Sequence, residues 1–143
     1  MIVFSQDLNN WSRQYAIDAR RAIVEAEIGP SPDTLSASPC LDVWQPIQIG
    51  TVLCLAGAVS GHPLLPDTFI TTSPLVALRQ DAAWARTISR FYRLGSPLEM
   101  ALGGKDGRDL AIVGAYGYPA VTVGDAQAWL EHVTSLIRQR TDN

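Results

Sequence analysis

Near both ends of the chain, apolar residues recur at every third or fourth position, a spacing that is typical of amphipathic helices. The first such stretch predicts a helix over about residues 9–28. It ends at the Gly29-Pro30 pair, because glycine favours a helix C-terminus and proline cannot continue the helix. The other stretch predicts a C-terminal helix over about residues 126–139.

Between these helices the apolar residues form short runs rich in β-branched and aromatic side chains, which favour β-strands. The predicted strands are residues 41–49, 51–59, 68–73, 75–79, 84–94, 110–116 and 120–123. They follow one another through turns, so antiparallel pairing is expected. Pro46 places the first strand at an edge, since proline lacks an N–H group, and the apolar run 51–59 is expected to be central. Gly57 within that run predicts a bulge or tight bend. Short helices are predicted after Ser31 and Ser96, each of which precedes a proline.

Length and composition fit one globular domain. The chain has 143 residues, of which 47% are hydrophobic and 17% charged, close to the size and make-up of common domains. No linker, repeat or low-complexity segment divides it, so a single domain over residues 1–143 is predicted, with a β-rich middle at about 41–123. The expected fold class is α+β: a small antiparallel, bent sheet or partial barrel flanked by the N- and C-terminal helices. Trp129, Val133 and Leu136 are expected to dock the last helix on this sheet.

Charge and cysteine content narrow the classes of function. A net charge of −3 argues against nucleic-acid binding driven by charge alone. Cys40 and Cys54 form no Cys-x-x-Cys pair, and we interpret both as reduced, buried residues of a cytoplasmic protein. The cysteines and histidines lack the spacing of metal ligands, so neither a metal nor a cofactor is predicted. The N-terminus lacks a signal-peptide pattern, and the longest apolar run, 52–59, is too short to span a membrane.

The segment 84–94 (WARTISRFYRL) carries the predicted partner-binding residues. If it is a single strand, alternate side chains share a face. One face then carries Trp84, Arg86, Arg90 and Tyr92, and Arg93 lies on the other. Protein interfaces are enriched in Trp, Tyr and Arg, so we expect these residues to be exposed and to bind a partner. In the alternative interpretation the arginines pair with carboxylates of the first helix, which are Asp18, Glu25 and Glu27.

Part of the chain resembles a family of small uncharacterised alphaproteobacterial proteins. The segments that carry the resemblance are 39–44 (PCLDVW), 61–63 (GHP), 72–73 (TS) and above all 84–95 (WARTISRFYRLG). The similar region covers roughly residues 30–96. The family is described as a domain of unknown function, so the resemblance implies a bacterial cytoplasmic setting and supplies no activity.

Three classes of function follow from these patterns. The first is a small non-catalytic binding protein that occupies a protein partner, a class that includes mobile-element inhibitors of host defence. The second is a binder of nucleic acid or a nucleotide through Arg86, Arg90 and Arg93. The third is a small hydrolase in which Asp67 orients His62 as a general base. The other interpretation of His62 is a turn residue whose ring hydrogen-bonds the local backbone.

Overall fold

The computed structural model describes residues 13–98 and 118–141. These residues form three α-helices and six β-strands. The helices are α1 (Arg13–Ile28), α2 (Pro32–Ala37) and α3 (Val123–Thr141). The strands are β1 (Cys40–Ile49), β2 (Val52–Ser60), β3 (Thr68–Thr71), β4 (Leu75–Arg79), β5 (Trp84–Thr87) and β6 (Phe91–Leu94). The predicted strand 110–116 and most of the short helix predicted after Ser96 lie outside the described residues.

The six strands form one open sheet in the order β3-β2-β1-β6-β5-β4. The β1–β6 pair is parallel, and the other four pairs are antiparallel. The chain completes the β1–β3 meander first and returns to β1 only with β6, which makes the sheet mixed. The predicted α+β class, with a sheet flanked by N- and C-terminal helices, is confirmed, whereas the expectation of purely antiparallel pairing is wrong for β1 and β6.

β1 lies inside the sheet, so the edge position predicted from Pro46 is wrong. Pro46 stands opposite Leu55 of β2. The N–H and C=O groups of Leu55 both bond to Thr72, and therefore point away from β1. In an antiparallel pair such positions exchange no hydrogen bond across the two strands. The missing N–H of Pro46 thus leaves no gap in the ladder.

The segment 84–94 is a hairpin of two strands, and the single strand predicted from the sequence is wrong. The hydroxyl of Thr87 accepts hydrogen bonds from the backbone N–H groups of Ser89 (3.2 Å) and Arg90 (3.3 Å). The Thr87 N–H donates to the carbonyl of Arg90 at 2.9 Å. A threonine that bonds the backbone two and three residues ahead favours a turn over a continuous strand. The turn breaks the alternation of faces on which the predicted binding surface depended.

β1 contains a bulge directly after Asp42. Val43 has a φ of 44°, which a β-branched residue seldom adopts. The carboxylate of Asp42 stabilises this backbone, because its Oδ1 accepts the N–H groups of Val43 and Ser96, both at 2.9 Å. The irregularity predicted at Gly57 lies in β1 instead, and Gly57 faces it. There a Cβ atom would lie 2.8 Å from Cγ of Leu41, so the close approach of β1 and β2 requires glycine.

The main hydrophobic core forms where α1 and α3 pack against each other and the sheet. Its largest fully buried residues include Leu41, Trp44, Leu53, Leu55 and Ile137. Trp129 and Val133 are buried in this core and Leu136 is half-buried, which confirms the predicted docking of the last helix. A smaller cluster consists of Ile47, Cys54 and Ala56. Cys54 and Ala56 alternate along β2 with its core residues, and Ile47 of β1 lies opposite Cys54. The cluster therefore lies on the other face of the sheet.

Candidate functional site

The five residues predicted to bind a partner do not share an exposed face. Trp84 and Tyr92 are buried in the core, and Arg86 is only 8% exposed. Arg90 is half-buried and Arg93 is exposed. The predicted exposure of Trp84, Arg86 and Tyr92 is therefore wrong. Tyr92 lies opposite Ala85 in the hairpin, on the other face of the sheet from Trp84 and Arg86, and both faces are covered here.

Arg86 forms an ion pair with Glu25 of α1 through its Nη2 atom. This contact confirms the alternative interpretation for Arg86, although Glu27 pairs with Arg138 instead. The guanidinium carbon lies 5.0 Å from the centre of the Phe91 ring, which fits a cation–π contact. Burial lowers the pKa of Arg86, and the nearby Arg90 lowers that pKa further, while Glu25 raises it. The Nε atom is buried and has no hydrogen-bond partner among the described residues.

Arg90 occupies the turn of the hairpin, where the Thr87 hydroxyl holds its backbone N–H. Within residues 13–98 and 118–141 its guanidinium forms no ion pair and no hydrogen bond. Burial is the main reason that the pKa of His62 is lowered, and the charge of Arg90 adds to that effect. Arg90 thus carries a positive charge near His62, and its guanidinium has no carboxylate partner among the described residues.

Arg93 and Trp84 have structural contacts. Arg93 donates from Nε to the carbonyl of Ser38 at 2.9 Å and ties β6 to the end of α2. The ring of Trp84 meets that of Phe91 edge to face, with the centroids 5.5 Å apart. The guanidinium of Arg79 lies 5.9 Å from the Trp84 ring. Both predicted binding residues therefore contribute to packing within the fold.

A cleft of about 620 Å³ opens beside Arg86 and Arg90. It lies between the β5–β6 hairpin and the connection from α1 to α2, and we call it the arginine cleft. Its principal lining residues are Glu25, Ile28, Ser31, Pro63, Arg86, Arg90 and Phe91. Two guanidiniums line it against the single carboxylate of Glu25, so its charge is positive.

We call the exposed aliphatic residues in and beside the arginine cleft its apolar rim: Ile28 lines the cleft, and Leu64 follows the lining residue Pro63. Ile28 is 80% exposed, and Leu64, which follows the lining residue Pro63, is 77% exposed. Exposed apolar side chains that form one patch rimmed by polar residues often mark a site of interaction with another protein. One feature of the sequence indicates that Ile28 is exposed. Ile28 falls outside the apolar stripe of α1, whose buried residues end at Ala26.

His62 lies beside the cleft as a turn residue. Its Nδ1 atom accepts the backbone N–H groups of Leu64 at 3.0 Å and Leu65 at 3.2 Å. Asp67 does not orient the ring, because its Oδ1 accepts the N–H of Gly61 at 3.2 Å. The backbone interpretation of His62 is confirmed, and the predicted arrangement of Asp67 behind a basic His62 is wrong.

Cysteine and metal chemistry add little to this site. Cys40 and Cys54 are both free; Cys54 is buried, as expected, whereas Cys40 is half-buried. Burial raises the pKa of the Cys54 thiol to about 11, which keeps it protonated and unreactive. In the part of the chain that the structure describes, no group of three or more His, Cys, Asp or Glu residues could hold a metal ion. Among the same residues, no helix has the length and apolar character needed to cross a membrane.

The buried position of Arg86 leads to a prediction about stability. Replacement of a whole buried ion pair by apolar residues is often neutral or stabilising, whereas removal of one partner is costly when the charge left behind stays buried. Here the remaining Glu25 side chain is 48% exposed, so its carboxylate can be hydrated. We therefore expect Arg86→Met to keep the free energy of unfolding within about 1 kcal/mol of the unmodified protein, or to raise it. Denaturant unfolding measures this difference, with the exposed Arg79→Met as the control. A loss of about 3 kcal/mol or more would show that the ion pair is itself stabilising.

The fold and the cleft together define a small α+β domain with a six-stranded mixed sheet and a basic, apolar-rimmed groove on one side. Residues 7–108 match the model of a family of unknown function, DUF6634. Since this match covers most of the chain, the protein belongs to that family, and the resemblance to an uncharacterised family is confirmed. No curated protein and no solved structure gives a significant match to the chain.

Proposed function

We propose that this protein is a non-catalytic binding module that acts by occupying a protein partner at the arginine cleft. The observation that carries the proposal is the combination of Arg90, a cation without a partner among the described residues, with the exposed Ile28 and Leu64 at the rim. Energetically important positions of protein interfaces often pair an arginine with surrounding apolar contacts that exclude water. The cleft has both features within one small area.

The same arginines could serve the alternative function, the binding of nucleic acid or a nucleotide. Two observations favour a protein partner. The net charge of the chain is −3, which opposes the approach of a polyanion. The large exposed side chains at the rim are aliphatic, and they offer apolar contact without the flat aromatic surface on which bases stack.

The setting is part of the same proposal. The resemblance to small alphaproteobacterial proteins supports a bacterial origin, and the free cysteines fit the reducing environment of a cytoplasm. Inhibition of host defence by a mobile element would be one use of a protein that only occupies its partner.

The test is a capture experiment with matched variants. The protein is immobilised, and bound proteins are recovered from a bacterial lysate. We expect Arg90→Gln, and separately the pair Ile28→Ser with Leu64→Ser, to weaken capture by about tenfold or more, since loss of such contacts costs about 1.4–2 kcal/mol of binding. Ile17→Ser is the control, because Ile17 is an exposed residue of α1 that does not line the cleft.

Melting curves of the four proteins establish that the variants remain folded. Capture that is equal in all of them would reject the cleft as the binding surface. Capture of nucleic acid that falls steeply with salt would favour the alternative function, because phosphate-led binding depends strongly on ionic strength.

A further inference from the structure

The arginine cleft holds more cationic hydrogen-bond donors than the protein uses. A guanidinium has five N–H groups. Arg86 uses Nη2 toward Glu25, and its buried Nε has no partner in the described part of the chain. The Arg90 guanidinium has none there either. An occupant of the cleft that accepts hydrogen bonds would satisfy donors that are otherwise left without protein partners.

The guanidinium of Arg86 and the backbone of Arg90 are held in place before any ligand arrives. Arg86 is buried against the ring of Phe91 and bound at one end by Glu25. The hydroxyl of Thr87 accepts the backbone N–H of Arg90, and the Thr87 N–H donates to the Arg90 carbonyl at 2.9 Å, so the backbone of Arg90 is fixed in the turn. Pre-organised donors lose little entropy when they bind, which raises affinity.

Glu25 is positioned as a substitute for a ligand carboxylate. It reaches Arg86 from α1, and its side chain remains 48% exposed, so it can turn into solvent at little cost. Glu25 offsets only part of the positive charge in the cleft, because Arg90 adds a second positive charge near Arg86. A carboxylate from outside would meet the Arg90 guanidinium, which has no acidic partner among the described residues, and the Arg86 guanidinium, which Glu25 already binds.

We propose that the group recognised in the arginine cleft is the carboxylate of an Asp or Glu side chain of the partner, which binds Arg90 together with Arg86 and displaces Glu25. This inference rests on the proposed function and specifies its ligand. Once Glu25 has turned away, both guanidiniums can donate to the incoming carboxylate, and the polypeptide that carries this carboxylate, unlike inorganic phosphate, also contacts the rim. The apolar rim of Ile28, Pro63 and Leu64 fits aliphatic side chains on either side of that acidic residue.

The experiment uses three probes with the full-length protein. They are acetyl-Leu-Glu-Leu-amide, the matched acetyl-Leu-Gln-Leu-amide, and inorganic phosphate. Binding is followed by NMR through the Nε–H signals of the arginines. We expect the glutamate peptide to shift the signals of Arg86 and Arg90 and to bind about tenfold more tightly than the glutamine peptide, as for loss of one charge-assisted hydrogen bond.

Three variants identify the residues responsible. Arg90→Gln is expected to weaken the glutamate peptide about tenfold, and Glu25→Gln is expected to strengthen it, since the competing carboxylate is gone. Arg79→Gln, the control, should leave binding unchanged because Arg79 does not line the cleft. Equal binding of both peptides, tighter binding of phosphate, or unchanged affinity in Glu25→Gln would each overturn the proposal.

The two proposals fail in different ways. If capture of a partner depends on Ile28 and Leu64 but the two peptides bind equally, the binding function stands and the carboxylate assignment falls. If the glutamate peptide binds as expected but capture is insensitive to every variant of the cleft, the carboxylate site stands and the proposed interface falls.

Discussion

Trp129→Ala is expected to lower the free energy of unfolding by about 3–5 kcal/mol, the range for truncation of a large core side chain. Trp129 is 3% exposed and lies where α3 meets the core. Its removal leaves a cavity between α3 and the sheet that the neighbouring side chains fill only in part. Denaturant unfolding gives the value, and a loss of this size would be a large fraction of the stability of a typical domain.

Tyr118→Ala is the matched control, because it also truncates an aromatic residue, but one that is exposed. We expect a change of no more than about 0.5 kcal/mol there. A Trp129→Ala variant as stable as the unmodified protein would mean that α3 is a peripheral element, in conflict with the packing of Trp129.

Gly95→Ala is expected to lower the free energy of unfolding by about 1–3 kcal/mol. A Cβ atom at Gly95 would lie 2.6 Å from Oδ1 of Asp42, which is closer than nonbonded atoms approach. That oxygen cannot move aside freely, because it accepts the backbone N–H groups of Val43 and Ser96. Relief of the clash therefore costs hydrogen bonds that support the bulge in β1.

The same substitution at Gly124 should have the opposite sign. Gly124 is in the first turn of α3, and a Cβ atom there would meet no atom within 4 Å. Gly124→Ala is expected to raise the free energy of unfolding by about 0.4–1 kcal/mol, mainly by restricting the unfolded chain. Thermal or denaturant unfolding of both variants gives the comparison. If both changes were neutral, the Asp42 carboxylate would not be holding the bulge.

The elements that could be predicted from the sequence are those specified by local chemistry. β4 has the predicted bounds, Leu75–Arg79. α2 begins as predicted, because the Ser31 hydroxyl accepts the N–H of Thr34 and Pro32 suits the first helical position. The apolar stripes of α1 and α3 were also recognisable, since a period of 3.6 residues persists over several turns.

The two errors in the sheet have different causes, a turn signal that was overlooked and a tertiary contact. A strand and a tight hairpin have similar residue preferences over 84–94, and the turn depends on the hydroxyl of Thr87. Pro46 is tolerated inside the sheet because its partner Leu55 bonds to Thr72, a residue that follows β3. The contact of Thr87 is local in sequence, whereas the bond between Leu55 and Thr72 cannot be seen in a window of neighbouring residues.

The candidate site was predictable only in part. The pairing of Arg86 with a carboxylate of the first helix was one of the two alternatives considered, and Glu25 was among the residues named. The arginine cleft itself requires the α1–α2 connection to lie beside a hairpin far along the chain, and the periodicity of a single sequence contains no information about that contact. Ile28 and Pro63 are lining residues of the cleft because of that contact.

The parallel pair of β1 and β6 has a consequence for the order in which the molecule folds. On one side of the pair, β1, β2 and β3 are connected by short turns, and on the other side β4, β5 and β6 are as well. Both meanders can therefore form from contacts local in sequence. Their junction, Cys40 and Leu41 against Arg93 and Leu94, joins distant parts of the chain and closes a long loop, which is entropically costly and slow. We expect the two halves of the sheet to assemble first and the junction last. One wall of the arginine cleft, the α1–α2 connection, immediately precedes β1, and the other wall includes β6. The cleft is therefore completed only in the final step of folding.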